Sequence, residues 1–147
     1  MSNAITIQSR NKDKVISTAL EEIKKRECWG WPHLVAYPDW WWYTIWCWTR
    51  SYRGEKITAK VAYDRLQSIV NSMYDRMSGK YVRMTNNQLS ATISLWFNCH
   101  SCLKGVKQWI TQQKWEWWSY WLLPSGKRVY MSGLNKRRKS ERILFNK

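Results

Sequence analysis

Acidic residues, glycine and histidine are scarce in this sequence of 147 residues. There are ten Asp and Glu residues against 25 Lys and Arg residues, with only six Gly, three Pro and two His. Two histidines leave little material for acid–base catalysis, and six glycines leave little for phosphate-binding loops. No Gly-rich phosphate loop, Gly-x-Ser-x-Gly elbow or His-Glu-x-x-His helix occurs. The sequence therefore predicts a protein that is not an enzyme and that needs no cofactor.

Long apolar runs are also missing. The apolar run that begins at Trp40 reaches only about ten residues before Arg50, whereas a membrane-spanning helix needs about twenty. Residues 1–10 are polar and lack the apolar core of a signal peptide. We therefore expect no transmembrane span and a cytoplasmic location. Thiols stay reduced in the cytoplasm, so no disulfide is expected among the four cysteines, which are Cys28, Cys47, Cys99 and Cys102.

Two of these cysteines form a Cys-x-x-Cys pair, Cys99 and Cys102. A structural zinc site needs four ligands, and Cys28 and His33 are the available partners for a Cys28/His33/Cys99/Cys102 site. However, the pair lies within a predicted helix, where buried thiols commonly serve as small apolar residues. We expect no metal and keep this set only as a weak zinc candidate.

The positive charge is concentrated in the second half of the chain. Residues 1–75 carry 11 Lys and Arg against 8 Asp and Glu, so 11 − 8 gives +3, whereas residues 76–147 carry 14 against 2, so 14 − 2 gives +12. A charge of this size indicates an anionic partner, because unneutralised like charges oppose compact folding. A solvated basic face without a dedicated partner is the alternative.

The periodicity of apolar residues predicts helices over most of the chain. Helices are expected at residues 12–26, from Thr58 to about residue 78, and from a Thr85/Gln88 capping box to about residue 113. Residues 40–52 contain five Trp. They are predicted as a fourth helix because Asp39 could cap its start and Gly54 could follow its end. A strand is the competing interpretation, since Trp, Tyr, Thr and Ile all favour sheets.

After Lys114 the pattern changes to that of a hairpin. Residues 115–123 and 127–131 flank the turn sequence Pro124-Ser125-Gly126. The predicted fold class is therefore α+β, a mainly α-helical single domain over residues 1–147 with a C-terminal β-hairpin and a basic tail. Residues 1–10 and 133–147 are expected to be flexible or extended.

Aromatic residues are closely followed by basic residues in this last part of the chain. On a strand, successive side chains face opposite sides, so the Trp residues of 115–121 would line both faces, of which the helices could cover one. Exposed rings beside a cationic track are typical of proteins that bind single-stranded nucleic acid. The candidate binding residues are Lys127, Arg128, Lys136, Arg137, Arg138, Lys139, Arg142, Trp115, Trp117, Trp118 and Trp121.

The sequence thus favours a small intracellular protein that binds nucleic acid or a nucleoprotein assembly through its C-terminal half. The alternative is an accessory or inhibitory protein, encoded by a phage or virus, that docks on the acidic surface of a larger protein complex through Trp and Arg hot spots. A third class is a protein that lies at a membrane surface, which Trp with Lys and Arg also permits. Without any of these functions, both Trp faces of the strand would be buried, or the surplus Trp would contact a protein.

Overall fold

Four helices and two small sheets make up the described structure. The computed structural model describes residues 11–27, 34–39, 42–45, 49–98 and 119–147. The helices are α1 (Lys12–Glu27), α2 (Ala59–Ser78), α3 (Asn86–Asn98) and α4 (Ser132–Phe145). The strands are β1 (Tyr37–Asp39), β2 (Trp42–Ile45), β3 (Thr49–Ser51), β4 (Tyr120–Leu122) and β5 (Arg128–Tyr130).

The apolar core lies between α1, α2 and α3, and α4 packs against α3. Each of the first three helices contributes residues spaced three or four apart, because that spacing brings side chains to one face of a helix. The buried set is Val15, Ile16, Ala19, Ile23, Leu66, Val70, Met73, Met77, Leu89 and Ile93. The apolar stripes predicted for these helices are confirmed.

The starts of α2 and α3 are fixed by side-chain caps. The Oγ1 of Thr58 accepts a hydrogen bond from the backbone N–H of Val61 at 3.2 Å. At α3, the Gln88 N–H donates to Thr85 Oγ1 at 3.2 Å, and the Thr85 N–H donates to Gln88 Oε1 at 3.0 Å. Reciprocal bonds of this kind satisfy amide groups that have no partner within the helix. Both predicted caps are confirmed, and the part of the predicted helix beyond Asn98 falls outside the described residues.

The helix predicted for residues 40–52 is wrong. β2 pairs antiparallel with β1 through Asp39↔Trp42 and with β3 through Ile45↔Thr49, in the order β1-β2-β3. Asp39 ends a strand instead of capping a helix, and Gly54 adopts a φ of 83° in the turn that follows β3. Only glycine adopts this conformation without strain, so the same residue suits a turn as well as a helix end. The strand preference of Trp, Tyr, Thr and Ile decided the outcome.

The basic tail predicted for residues 133–147 is wrong as well. These residues lie in α4 and just after it, and Arg137, Arg138, Glu141 and Leu144 are buried. β4 and β5, three residues each, pair antiparallel just before this helix. The predicted fold class, an α+β domain with a C-terminal hairpin and a basic tail, is therefore corrected. In chain order, a three-stranded sheet comes between α1 and α2. The C-terminal segment is a packed helix.

No helix in the described ranges is long and apolar enough to cross a membrane.

Candidate functional site

Four charged side chains lie buried where α4 meets α1 and α3. We call them the α4 charge cluster, and they are Glu22, Arg137, Arg138 and Glu141. Arg138 and Glu141 are both 0% exposed. Arg138 Nη1 donates to Glu141 Oε1, and Arg137 Nε lies 3.7 Å from the same oxygen. Two positive and two negative groups balance formally, and such balance is needed when ions leave water.

Hydrogen bonds from this cluster join three helices. Arg138 Nη2 donates to Asn98 Oδ1 at the end of α3, and Arg137 Nη2 donates to the Ser94 carbonyl at 3.1 Å. On α1, Glu22 Oε1 accepts from the Ser140 hydroxyl of α4. The C-terminal helix is therefore held on α1 and α3 by polar contacts rather than by an apolar stripe.

The sequence analysis missed this cluster, although a signal was present. Glu141 is the only acid after residue 116, and it follows Arg138 by three residues and Arg137 by four. These spacings place the three side chains together on one helix. Burial raises the pKa of the Glu141 carboxyl, and the Arg138 and Arg137 guanidinium groups act in the opposite direction.

A second ionic contact fixes the three-stranded sheet to α2. Arg65 donates from Nη1 and Nη2 to the two oxygens of Glu55, at 2.7 and 2.6 Å, and the Ser51 hydroxyl donates to Glu55 Oε1 at 2.5 Å. These hydrogen bonds, led by those from Arg65, lower the pKa of Glu55 to about 2. Glu55 therefore stays ionised near neutral pH and anchors the sheet.

Backbone hydrogen bonds complete the attachment of the sheet. The Ala36 N–H donates to the Glu55 carbonyl at 2.8 Å, and the Ile57 N–H donates to the Leu34 carbonyl at 2.8 Å. The segment that leads from α1 into β1 is thereby paired with the segment that leads from β3 into α2. Glu27 is the last residue of α1, and Asp39 is the last residue of β1.

Most other acidic residues are committed to ion pairs or are exposed on α1. Glu22, Glu55 and Glu141 are buried in the contacts described above. Two exposed acids pair with lysines, Asp75 with Lys12 at 3.1 Å and Asp64 with Lys60 at 3.2 Å. Asp13 and Glu21 are exposed on α1, and Glu116 falls outside the described residues. The two remaining acids are Glu27 at the end of α1 and Asp39 at the end of β1, and sequence reasoning gave neither a catalytic role.

The structure divides the predicted binding residues into exposed and buried groups. Arg137 and Arg138 belong to the α4 charge cluster, so the prediction that they lie at the surface is wrong. A buried carboxylate on the same helix draws them inward. Trp121 lies in β4, and Trp115, Trp117 and Trp118 fall outside the described residues. The exposed predicted cations are Lys127, Arg128, Lys136, Lys139 and Arg142.

The weak zinc candidate, Cys28, His33, Cys99 and Cys102, also falls outside the described residues. Within the ranges that are described, no three His, Cys, Asp or Glu side chains come together as a metal site. The absence of zinc and of disulfides therefore stays a prediction, as does the cytoplasmic location.

Two solved structures share this architecture over most of their length. The muramidase domain of SpmX from Asticaccaulis excentricus superposes with a TM-score of 0.72 and 22% sequence identity, covering 88% of this chain and 95% of that domain. The endolysin from Escherichia coli O157:H7 phage FAHEc1 superposes with a TM-score of 0.69 and 24% identity, covering 87% of this chain and 90% of the endolysin. No protein-family model and no curated protein matches the sequence. The chain therefore shares its fold with these two proteins.

This likeness corrects the function expected from the sequence. The prediction of a non-enzymatic protein that binds nucleic acid or docks on a nucleoprotein or protein complex is wrong, because both structures with this fold are lytic domains. The error came from treating the C-terminal cations as one surface track. Two of them lie buried beside one carboxylate, that of Glu141, so a count of cations along the chain overstated the charge available to a polyanion.

Proposed function

We propose that this protein hydrolyses glycosidic bonds in peptidoglycan. The observation that carries the proposal is the match of nearly the whole chain, 88% and 87%, to a muramidase domain and to a phage endolysin. Because a fold can host several functions, the proposal also needs residues able to perform the chemistry.

Glycoside hydrolysis is typically performed by two carboxyl groups that flank the scissile bond. One gives a proton to the leaving oxygen, and the other attacks the sugar or activates a water molecule. We assign these roles to Glu27 and Asp39 as a pair. Their support is positional, since Glu27 ends α1 and Asp39 ends β1, the helix and the strand that the chain joins as it passes from the helices into the sheet. Junctions between substructures are favoured places for ligand clefts.

The remaining acids suit this chemistry less well. The low pKa of Glu55 keeps it ionised, and its oxygens are occupied by Arg65 and Ser51. Glu141 is fully buried, so a polymer chain has no access to it. The contacts at Glu55 support the proposal indirectly, because they hold the sheet that carries Asp39 against the helices.

Release of dye from labelled, purified peptidoglycan tests the proposal. We expect Glu27→Gln and Asp39→Asn each to slow release by about a hundredfold or more, the range typical of general acid–base catalysis. Glu21→Gln, an exposed change on the same helix, is the matched control and should stay within about twofold of the parent. No dye release by the parent protein would contradict the proposed function. Parent-like rates in both variants would contradict the residue assignment alone.

A further inference from the structure

The outer face of the β4–β5 strand pair presents two tyrosines and an arginine together. Tyr120 and Tyr130 are direct partners across the two strands, and their ring centroids lie 5.7 Å apart at an interplanar angle of 70°. Arg128 is two residues from Tyr130, so it lies on the same face, and its guanidinium carbon is 4.9 Å from the centre of the Tyr120 ring. We call these three residues the tyrosine face.

This face is open to solvent. The exposed fraction is 44% for Tyr120 and 52% for Tyr130, and Leu123 and Met131 at the ends of the strands are exposed as well. Scattered exposed apolar residues are ordinary, but contiguous patches commonly mark places where a ligand or partner binds. Tyr120, Tyr130 and Arg128, which lies against the Tyr120 ring, form a contiguous exposed group of this kind.

The tyrosine face is held firmly by the residues beneath it. Ser119 is buried, its hydroxyl donates to Asn135 Oδ1 of α4 at 3.3 Å, and its carbonyl accepts from the Met131 N–H at 2.9 Å. Gly126, with a φ of 85°, closes the turn between the strands. A preformed surface loses little conformational entropy when a ligand binds.

Charge indicates what kind of ligand fits this surface. Residues 119–147 include one acid, Glu141, and it is buried against Arg138 and near Arg137. The exposed charged side chains of this segment are therefore all cations. Arg128 lies in β5 and Lys127 directly precedes it, whereas Lys136, Lys139, Arg142 and Lys147 lie in or after α4. Such a surface attracts an anionic polymer and repels a cationic one.

We propose that the tyrosine face binds the carboxylate-bearing glycan strands of peptidoglycan, through residues other than Glu27 and Asp39. The proposal rests on the proposed function for the choice of polymer. The apolar C–H face of a pyranose ring packs against an aromatic ring, and tyrosine adds a hydroxyl that bonds to sugar oxygens. Arginine offers paired N–H donors to a carboxylate of the attached peptide. Aromatic and cationic groups on one face therefore match a polymer that has both sugar rings and carboxylates.

Co-sedimentation with purified, insoluble peptidoglycan at 4 °C tests this inference. We expect Tyr120→Ala/Tyr130→Ala to weaken binding by about tenfold, as loss of anchoring aromatic residues does at other interfaces. Tyr120→Leu/Tyr130→Leu should weaken binding as much while keeping an apolar cross-strand contact, so a fall in binding cannot be assigned to unfolding. Tyr52→Ala is the matched control, because Tyr52 is 66% exposed after β3, and its variant should bind like the parent.

A soluble polyanion without sugar rings, such as polyglutamate, distinguishes stacking on sugars from simple charge attraction. We expect the tyrosine variants to bind it as the parent does, and Arg128→Ala to lose affinity for both polymers. Equal losses on both polymers in the tyrosine variants, or parent-like binding of peptidoglycan by them, would overturn the inference. The parent could co-sediment with peptidoglycan more strongly than the tyrosine variants and still release no dye. That result would support the binding site and contradict the proposed hydrolysis.

Discussion

Among the described residues, arginine contacts glutamate both at the sheet and in the α4 charge cluster, and the two carboxyl groups respond in opposite directions. At the sheet, Arg65 binds both oxygens of Glu55, and the pKa of Glu55 falls to about 2. In the α4 charge cluster, Arg138 contacts Glu141, with Arg137 close by, yet the pKa of Glu141 is raised.

Access to water explains the difference. The Arg65 side chain is about a third exposed, so this pair retains part of its hydration while gaining two short charged hydrogen bonds. Arg138 and Glu141 have no contact with solvent, and loss of hydration opposes the charged form more strongly than their attraction supports it. Pairing with arginine alone therefore does not determine how a carboxyl group titrates.

Breaking the buried contact should have the largest effect. Arg138→Met leaves Glu141 buried without its main partner, and we expect a loss of about 3–5 kcal/mol in the free energy of unfolding at pH 7. Urea denaturation of the variant measures this loss. Lys139→Met, an exposed change one residue away, is the control and should cost less than about 0.5 kcal/mol.

Changing both members of the buried contact sharpens this test. Arg138→Met/Glu141→Leu should recover part of the lost stability, because it removes the unpaired carboxylate along with the cation. A single Arg138→Met variant within about 1 kcal/mol of the parent would show that the cluster does not hold α4 in place.

Breaking the contact at the sheet should have a smaller effect that depends on pH. We expect Arg65→Met to cost about 2 kcal/mol at pH 7, since Glu55 is mostly buried but lies near solvent. The folded-state pKa is below the unfolded value, so the unfolded chain binds the proton first as pH falls. The contribution of the pair is therefore complete above about pH 4.5 and is lost toward pH 2.

Urea denaturation of parent and Arg65→Met at pH 7 and at pH 3 measures this dependence, and the two proteins should differ less at pH 3. Lys60→Met breaks the exposed pair with Asp64 on the same helix and should change stability by less than about 0.5 kcal/mol at either pH. A difference between Arg65→Met and the parent that stays constant with pH would contradict the assigned origin of the low pKa.

The smallest effect is expected for the exposed cations of α4. Lys136→Ala/Lys139→Ala should change the free energy of unfolding by less than about 0.5 kcal/mol, because exposed charges contribute little to stability. These lysines flank Arg137 and Arg138 in one run of four cations. Thermal unfolding of this variant and of Arg138→Met compares the exposed lysines with a buried arginine of the same run. A large fall in the melting temperature of the lysine variant would contradict this distinction.

Much of the helical core could be predicted from the sequence. The apolar stripes of α1, α2 and α3 and the caps at Thr58 and Thr85 depend on residues within three or four positions of one another. Local spacing is sufficient for such elements, because the contacts that define them lie within one helix.

The candidate catalytic pair could not be predicted in this way. Glu27 and Asp39 are twelve residues apart and follow no motif, and they end two different elements, α1 and β1. Asp39 and Gly54 also suit the ends of a helix, so local signals favoured the wrong element until strand pairing was known.

The sequence by itself determined the three amphipathic helices, their caps and the excess of positive charge. Only the tertiary structure decided that residues 42–45 and 49–51 pair in a sheet and that Arg137 and Arg138 lie in the interior while Lys136 and Lys139 lie outside. The physical reason is that strand pairing and the burial of a charge depend on partners distant in sequence. Glu22 lies 118 residues before the Ser140 hydroxyl that it binds, and no local pattern relates the two.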